Sequence, residues 1–294
     1  MIWERTCLFI FLSLAVSMVH GQLPTTQIYT LDLRANEEKA LVSNVKYLSS
    51  FNPLGYNNQP SFIDRETLLI TTNFNASGLT DVYQMDLATN QLTRITATEE
   101  SEYSPTMMPD GINFSVIRQE VTDAKSIPQV LWSYPIDRSS GGDVEIDLTT
   151  IGYHSWLSPT EVALFLVGDP HELVIYNTET KKTSHVAYDV GRALKTDKKG
   201  DLYYVHKIAS SWNIRKYSRS LERSSLVVRA IPEQEDFDIL PNGFLISSEG
   251  SMLKTLRPGV DRGWQDLIDL KAAGINKISR IASTSNKIAI VTAQ

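Results

Sequence analysis

The chain has 294 residues, a formal net charge of −6 and a single cysteine, and 42% of its residues are hydrophobic. An acidic chain without a basic block lacks the charge pattern that nucleic acid requires, so we expect no nucleic-acid partner. One cysteine excludes an internal disulfide, and a chain of this length can be stabilised by core burial alone.

The first 21 residues have the pattern of a secretory signal peptide. A short polar start containing Arg5 leads into an apolar run that begins at Cys7, and small residues end the segment up to Gly21. The run is too short to span a bilayer, and a lipid-acceptor cysteine would lie at its end rather than its front. We predict cleavage after Gly21, a folded domain over 22–294, export to the periplasm or beyond, and no membrane insertion after cleavage.

The next elements along the chain follow a repeated strand–turn–strand pattern. A Tyr-x-x-Asp-Leu motif begins at Tyr29 and again at Tyr83, and Asn177 replaces the aspartate in a third copy. Alternation such as "DVYQMDL" has the period of two that is typical of strands packed on both faces of a sheet. The four copies are "TQIYTLDLRANEEKALV" (26–42), "TDVYQMDLATNQLTRIT" (80–96), "ELVIYNTETKKTSHVAY" (172–188) and the weaker "NIRKYSRSLERSSLVVR" (213–229).

A second pattern precedes these segments and carries the turns. "YSPTMMPDG" (103–111) aligns with "YHSWLSPTE" (153–161) and "EDFDILPNG" (235–243), and each is followed by a short apolar strand. Pro-Asp-Gly, Pro-Asn-Gly and the looser Lys-Lys-Gly ending at Gly200 predict tight turns, in which glycine supplies a positive φ. Together the two patterns give a four-stranded unit of about 40 to 50 residues, the period of a propeller blade.

The two ends of the chain complete the count of blades. The segment 278–293 supplies two strands without outer partners, and the segment 26–45 supplies two strands without an inner pair. Joining them makes one composite blade and leaves no large exposed sheet edge. We therefore predict an all-β, six-bladed β-propeller, with five internal blades and a sixth closed by N-terminal and C-terminal strands. The best candidate for a short helical turn is "RGWQDLIDLKAAG" (262–274).

These motifs also resemble those of a known family. A Tyr-x-Pro…Pro-Asp-Gly step followed by Asp-Val-Tyr-x-x-Asp-Leu is similar to the blade signature of TolB-type propellers. It is sharpest over 55–96 and 102–148, and the resemblance covers nearly the whole chain after residue 21. Nothing in this sequence corresponds to the α/β domain that precedes the propeller of TolB. The resemblance thus implies the propeller fold, and it implies that the first strand of each blade lines a central channel.

Placing the sequence on that frame predicts a ring of side chains at one channel mouth. We expect these residues just before the first strand of each blade, beside the loops that join second and third strands. They mix aromatic, hydrogen-bonding and oppositely charged groups, which suits a polar ligand or a peptide tail; alternatively they only hydrate the channel and pair with one another. The predicted ligand-binding residues are Asn58, Gln59, Tyr103, Ser104, Tyr153, His154, Arg192, Glu235, Asp236 and Arg280.

Three functions remain open on this sequence, of which one is a pure scaffold without a pocket ligand. The first is a monomeric, non-catalytic propeller that binds a protein partner or a small polar ligand at one channel mouth, without a cofactor. The alternative is a metal-dependent lyase or hydrolase that acts on a carbohydrate, with His154, His171 and His206 as the metal ligands. No two of these histidines have a local ligand spacing, and the sequence contains no Gly-x-Ser-x-Gly, phosphate-loop or dinucleotide motif.

Overall fold

A computed structural model describes residues 23–121, 127–146, 148–209 and 211–293. The described residues form six four-stranded antiparallel sheets. The strands are β1 (Thr26–Ala35), β2 (Ala40–Tyr47), β3 (Asn57–Phe62), β4 (Thr67–Thr72), β5 (Asp81–Asp86), β6 (Leu92–Arg94), β7 (Ser101–Met107), β8 (Asn113–Gln119), β9 (Gln129–Pro135), β10 (Asp143–Ile146), β11 (Ile151–Trp156), β12 (Glu161–Leu166), β13 (Glu172–Asn177), β14 (Lys182–Tyr188), β15 (Val190–Thr196), β16 (Leu202–Ile208), β17 (Ser211–Ser218), β18 (Arg223–Arg229), β19 (Phe237–Ile239), β20 (Leu245–Glu249), β21 (Met252–Leu256), β22 (Gln265–Asp269), β23 (Ile278–Ser283) and β24 (Lys287–Ala293).

Each sheet is one blade, and the blades follow the chain. Blades 1 to 5 are β3–β6, β7–β10, β11–β14, β15–β18 and β19–β22, and blade 6 has the order β2-β1-β24-β23. The innermost strands are β3, β7, β11, β15, β19 and β23, and each contacts the innermost strands of the two adjacent blades. The described residues therefore form the closed six-bladed propeller that the sequence predicted.

The composite blade is also confirmed. The N-terminal strand β1 pairs antiparallel with β24, from Thr26 opposite Ala293 to Asp32 opposite Lys287. The start of β1 is tied to blade 1 as well, because the Thr26 hydroxyl donates to the carbonyl of Asn57 over 2.8 Å. Closure by both chain ends protects sheet edges that would otherwise be free to pair with other chains.

The predicted turns between the first and second strands have the expected geometry. Gly111, Gly200 and Gly243 have φ values of 72°, 80° and 84°. Each donates its backbone N–H to the carbonyl three residues earlier, over 3.0, 2.9 and 2.8 Å respectively. A residue with a Cβ would be strained at these positions, so glycine is the residue that the turn requires.

The core lies between neighbouring blades, and the central strands are apolar on both faces. In β24, Ile288 and Ile290 pack in a cluster with residues of blade 5. The alternate residues Ala289 and Val291 pack in a different cluster with residues of blade 1. A period of two with both faces buried explains why these strands read as continuous apolar runs.

Two further sequence expectations concern a helical turn and the signal peptide. The segment 262–274 contains strand β22 and a single 3₁₀ turn, Lys271–Ala273, so only the end of the expected helical segment is a turn. The predicted signal peptide, residues 1–21, lies outside the described residues. Among the residues that are described, no helix is long and apolar enough to cross a membrane.

Candidate central ligand site

A cavity of about 260 Å³ lies on the propeller axis and is lined by residues from all six blades. Seven of the ten residues predicted for the ring line it: Gln59, Ser104, Tyr153, His154, Arg192, Asp236 and Arg280. The remaining three, Asn58, Tyr103 and Glu235, are sequence neighbours of lining residues. The structure thus brings the predicted set together around one space.

The predicted position of these residues before the first strands is wrong for eight of the ten. Only Glu235 and Asp236 precede their strand, β19; the other eight lie within β3, β7, β11, β15 and β23. Strand pairing begins earlier than expected and is then interrupted by bulges, for example between Asn58 and Ser61 and between Tyr103 and Thr106. An extra residue at a bulge re-aims the neighbouring side chains, which accounts for the difference.

Gln59 and Ser104 lie within two of these bulges. Their φ values are 51° and 55°, in the left-handed region that residues with a Cβ adopt infrequently. The two are joined, because the Ser104 backbone N–H donates to the Gln59 side-chain carbonyl over 2.9 Å. Blades 1 and 2 are therefore locked together at the wall of the cavity by a side chain of the predicted ring.

The cavity also includes residues that the sequence analysis missed. Its lining continues to Met107, Trp156 and Thr196, which are the last residues of β7, β11 and β15. It therefore extends along the inner strands toward the face that carries the glycine turns. Lys195 is the charged residue among those missed. The sequence could have indicated it, since it lies within a strand that was expected to line the channel.

Arg280 crosses the channel. Its Nη2 donates to the Tyr153 hydroxyl over 2.9 Å, and these residues belong to blades 6 and 3, which face each other in a ring of six. The Arg280 guanidinium also lies 5.2 Å from the centre of the Tyr153 ring, within cation–π range. Burial raises the pKa of nearby Tyr56, so this tyrosine is a neutral hydroxyl beside the bridge.

The two acids of the "Asp-Phe-Asp" segment link blade 5 to blade 6. Asp236 accepts the backbone N–H of Ile281 over 2.7 Å, and Asp238 accepts that of Ser283 over 2.6 Å. Asp238 also pairs with Lys195 at 3.3 Å. Burial raises the pKa of Asp236, although Arg280 counteracts this effect from 3.9 Å. Asp236 and Asp238 therefore both stabilise the contact between blades 5 and 6.

Arg192 is bound differently from Arg280. Its Nη2 donates to the carbonyl of Ser279 over 3.0 Å, and its backbone N–H donates to Glu235 over 3.1 Å. The Glu235 carboxylate is instead paired with Lys207. Within the described part of the chain, the Arg192 guanidinium has no carboxylate within 4.0 Å and its buried Nε has no hydrogen-bond partner. The two arginines therefore do not simply neutralise Glu235 and Asp236.

His154 lies at the base of a short polar network. Its Nε2 is 2.7 Å from the Ser115 hydroxyl, which also accepts the indole N–H of Trp156 over 2.9 Å. Burial lowers the pKa of His154 to about 3, so the ring is neutral at physiological pH. Its buried Nδ1 has no partner among the described residues, and neither has the Ser104 hydroxyl on the same cavity.

The three histidines of the alternative function are separate. His154 bonds to Ser115, His171 accepts the Gly168 N–H over 3.3 Å in the loop before β13, and His206 lies on β16 beside Tyr204. Over the described ranges, no group of three or more His, Cys, Asp or Glu side chains is placed to hold a metal ion. The ligand set that this alternative requires is not assembled there.

Comparisons with known proteins agree on the fold. No protein-family model matches the chain, and no curated protein matches it in sequence. A putative TolB from Agrobacterium tumefaciens superposes with a TM-score of 0.66 and 12% identity, over 92% of this chain and 99% of that one. TolB from Acinetobacter baumannii gives 0.58 and 12%, over 91% of this chain, which spans only 64% of that TolB. An oligogalacturonate lyase from Vibrio parahaemolyticus gives 0.52 and 11%, over 92% and 98%.

These similarities confirm the resemblance inferred from the blade motifs. The chain has the fold of a TolB-type six-bladed propeller. At identities near one residue in ten, the fold is what the comparison establishes, because one fold serves many functions.

Proposed function

We propose that this protein is an exported, non-catalytic propeller that binds a protein partner or a small polar ligand in its central cavity. One observation carries the proposal. Among the described residues, three that line this cavity each carry a buried polar atom without a hydrogen-bond partner: Ser104 (Oγ), His154 (Nδ1) and Arg192 (Nε). Leaving a buried polar group unpaired costs about 1–3 kcal/mol, so three around one space favour a site whose ligand supplies the partners.

The size of the cavity limits the ligand. A volume of about 260 Å³ lies near the lower end of ligand pockets, which span roughly 300–1,000 Å³. It suits a small polar molecule, or one or two residues of a partner that inserts into the channel. The wall is held in place by the bonds from Gln59 to Ser104 and from Arg280 to Tyr153, so the site is formed before the ligand arrives.

The ligand-binding residues of this proposal are the ten from the sequence analysis, with different tasks. The cavity-lining residues contact the ligand. Asn58 and Tyr103 support them, since the Asn58 side chain accepts the Gln59 N–H over 2.8 Å and Tyr103 packs edge-on against Tyr56. Glu235 fixes the backbone of Arg192.

The test is a thermal-shift screen of small polar compounds against the wild-type protein and Ser61→Phe. The Ser61 side chain lines the cavity and makes no hydrogen bond within the described residues, so phenylalanine fills space without breaking a bond. We expect compounds that raise the wild-type melting temperature to lose their effect on Ser61→Phe. Equal effects on both proteins would place binding elsewhere and contradict the proposal.

Export is the second part of the proposal and is supported by the signal-like pattern of residues 1–21. Expression of the full chain with fractionation of the cells is the test. We expect the protein outside the cytoplasm with Gln22 at its N-terminus. Uncleaved protein that stays in the cytoplasm would contradict this part and leave the binding proposal standing.

The carbohydrate-active alternative has one favourable observation, the similarity in fold to an oligogalacturonate lyase. Two measurements separate it from the binding proposal. A lyase or hydrolase of this kind would hold one tightly bound metal ion after dialysis and would cleave a carbohydrate polymer, whereas a binding propeller would do neither.

A further inference from the structure

The charges around the central cavity are unequal. Among the described residues, the basic side chains that line it are Arg192, Lys195 and Arg280, and the acidic one is Asp236. Lys195 is paired with Asp238 at 3.3 Å, and Arg280 faces Asp236 at 3.9 Å. These pairs account for two of the three positive charges, and Arg192 has no carboxylate within 4.0 Å among the described residues, although its charge lowers the pKa of Glu235 and Asp236 from farther away.

We propose that the cavity takes a ligand bearing a single carboxylate, bound by Arg192. This inference rests on the proposed function and names the chemical class of its ligand. A carboxylate supplies one negative charge, which matches the one basic side chain of the lining that has no ion pair among the described residues; a doubly charged phosphate would add a negative charge without a partner. The guanidinium also has the planar donor geometry that fits a carboxylate, and its buried Nε has no hydrogen-bond partner among the described residues.

Two neutral polar side chains also suit a carboxylate ligand. Ser104 and His154 line the same cavity, and the Ser104 hydroxyl and His154 Nδ1 have no hydrogen-bond partner among the described residues. Because the imidazole is neutral, it adds a polar contact without changing the balance of charge. Arg280 is already bonded to Tyr153, so we assign it to shaping the site and Arg192 to holding the carboxylate.

Two kinds of ligand carry such a carboxylate, a free acidic sugar and the C-terminus of a peptide. Matched probes distinguish them. Isothermal titration of the purified protein would compare D-galacturonate with D-galactose, and tri-alanine with its C-terminal amide. We expect one acid to bind at least tenfold more tightly than its neutral counterpart, and that acid identifies the source.

The matched variants are Arg192→Gln and Arg229→Gln. Arg229 is an exposed arginine at the end of β18 in the same blade, so its substitution removes the same net charge away from the cavity. We expect Arg192→Gln to weaken binding of the acid at least tenfold, with a melting temperature no lower than that of the wild type. We expect Arg229→Gln to change neither the binding nor the melting temperature. If Arg192→Gln does not fold, Arg192→Lys is the second variant. It keeps the positive charge and loses the planar two-pronged donor, so it should still weaken binding of the acid severalfold.

The outcomes separate this inference from the proposed function. No binding of either acid at millimolar concentration overturns the carboxylate inference, as does equal binding of acids and neutral counterparts. If neutral compounds bind to the wild type and not to Ser61→Phe, the cavity is a ligand site of another class. If Ser61→Phe changes no binding at all, the proposed function itself fails.

Discussion

The substitution Glu102→Gln should change how the stability of this protein depends on pH. Glu102 lies on β7 at the contact between blades 1 and 2, and none of it is exposed. Burial raises the pKa of its carboxyl from 4.5 to about 7, and the nearby Asp81 adds to the effect. The carboxyl accepts hydrogen bonds from Thr98 and Thr96 at its two oxygens, and an amide can accept one of them and donate to the other hydroxyl.

The sign and size follow from the two pKa values. The folded protein binds this proton more tightly than the unfolded chain does, so the stabilisation is complete below about pH 4.5 and is lost as the pH rises through about 7. Between pH 5 and pH 8 the loss amounts to about 2.5 kcal/mol for this one group. For a chain of this size, that corresponds to roughly 5–10 °C in melting temperature.

Urea unfolding at both pH values is the assay, with wild type, Glu102→Gln and Glu99→Gln compared. We expect Glu102→Gln to lack the decrease of about 2.5 kcal/mol in the free energy of unfolding between pH 5 and pH 8. At pH 8 it should be more stable than the wild type by about that amount. Glu99 is exposed on the adjoining loop and serves as the control. The low pKa of buried His154 gives a stability change of opposite sign, lost as the pH falls below 6.5, but it is the same in all three proteins. Equal decreases in wild type and Glu102→Gln would refute the reasoning.

Three further predictions concern closure, metal and turns. A protein that lacks residues 22–45 loses β1 and most of β2 and exposes the edge of β24, so it should aggregate on gel filtration; a monomer with an unchanged melting temperature would contradict the composite blade. Elemental analysis after dialysis should give the same metal content for wild type, His154→Ala and His171→Ala, and one ion lost on substitution would favour the enzyme. Gly111→Ala should cost about 1 kcal/mol in urea unfolding because φ is 72° in open space, whereas Gly141→Ala, equally open and without a positive φ, should cost less.

The fold could be predicted because its determinants are local. A glycine turn at Gly111, Gly200 or Gly243 needs only the residues of the turn itself, and alternation in β5 or β24 needs only one strand. Repetition of these short signals fixes the blade, and the count of blades then follows from the chain length. Closure was predictable for a similar reason, since two unpaired strands at each end have a single partner that leaves no open edge.

The site could be predicted only in part. The inner strand of each blade was recognised, so seven of the ten candidate residues do line one cavity. Their positions within the strands depend on bulges, at which one strand has an extra residue relative to its partner, and this depends on the pairing rather than on either strand alone. The network that joins His154 to Ser115 was hidden because Ser115 lies on the second strand of another blade.

Arg192 and Arg280 show what the three-dimensional arrangement adds to the residue types. In the sequence they are equivalent, since both come from inner strands that flank the acids of blade 5. In the structure, blade 6 faces blade 3, and this places Arg280 against the Tyr153 hydroxyl, while the Arg192 guanidinium, among the described residues, donates to the carbonyl of Ser279. The Arg192 side chain is half-buried and bonded to a neutral carbonyl, and a counter-charge is worth more there than at a fully exposed surface. The capacity to attract an anion therefore belongs to the arginine that the fold leaves without a carboxylate, and the identity of that arginine is decided by which blades lie opposite each other.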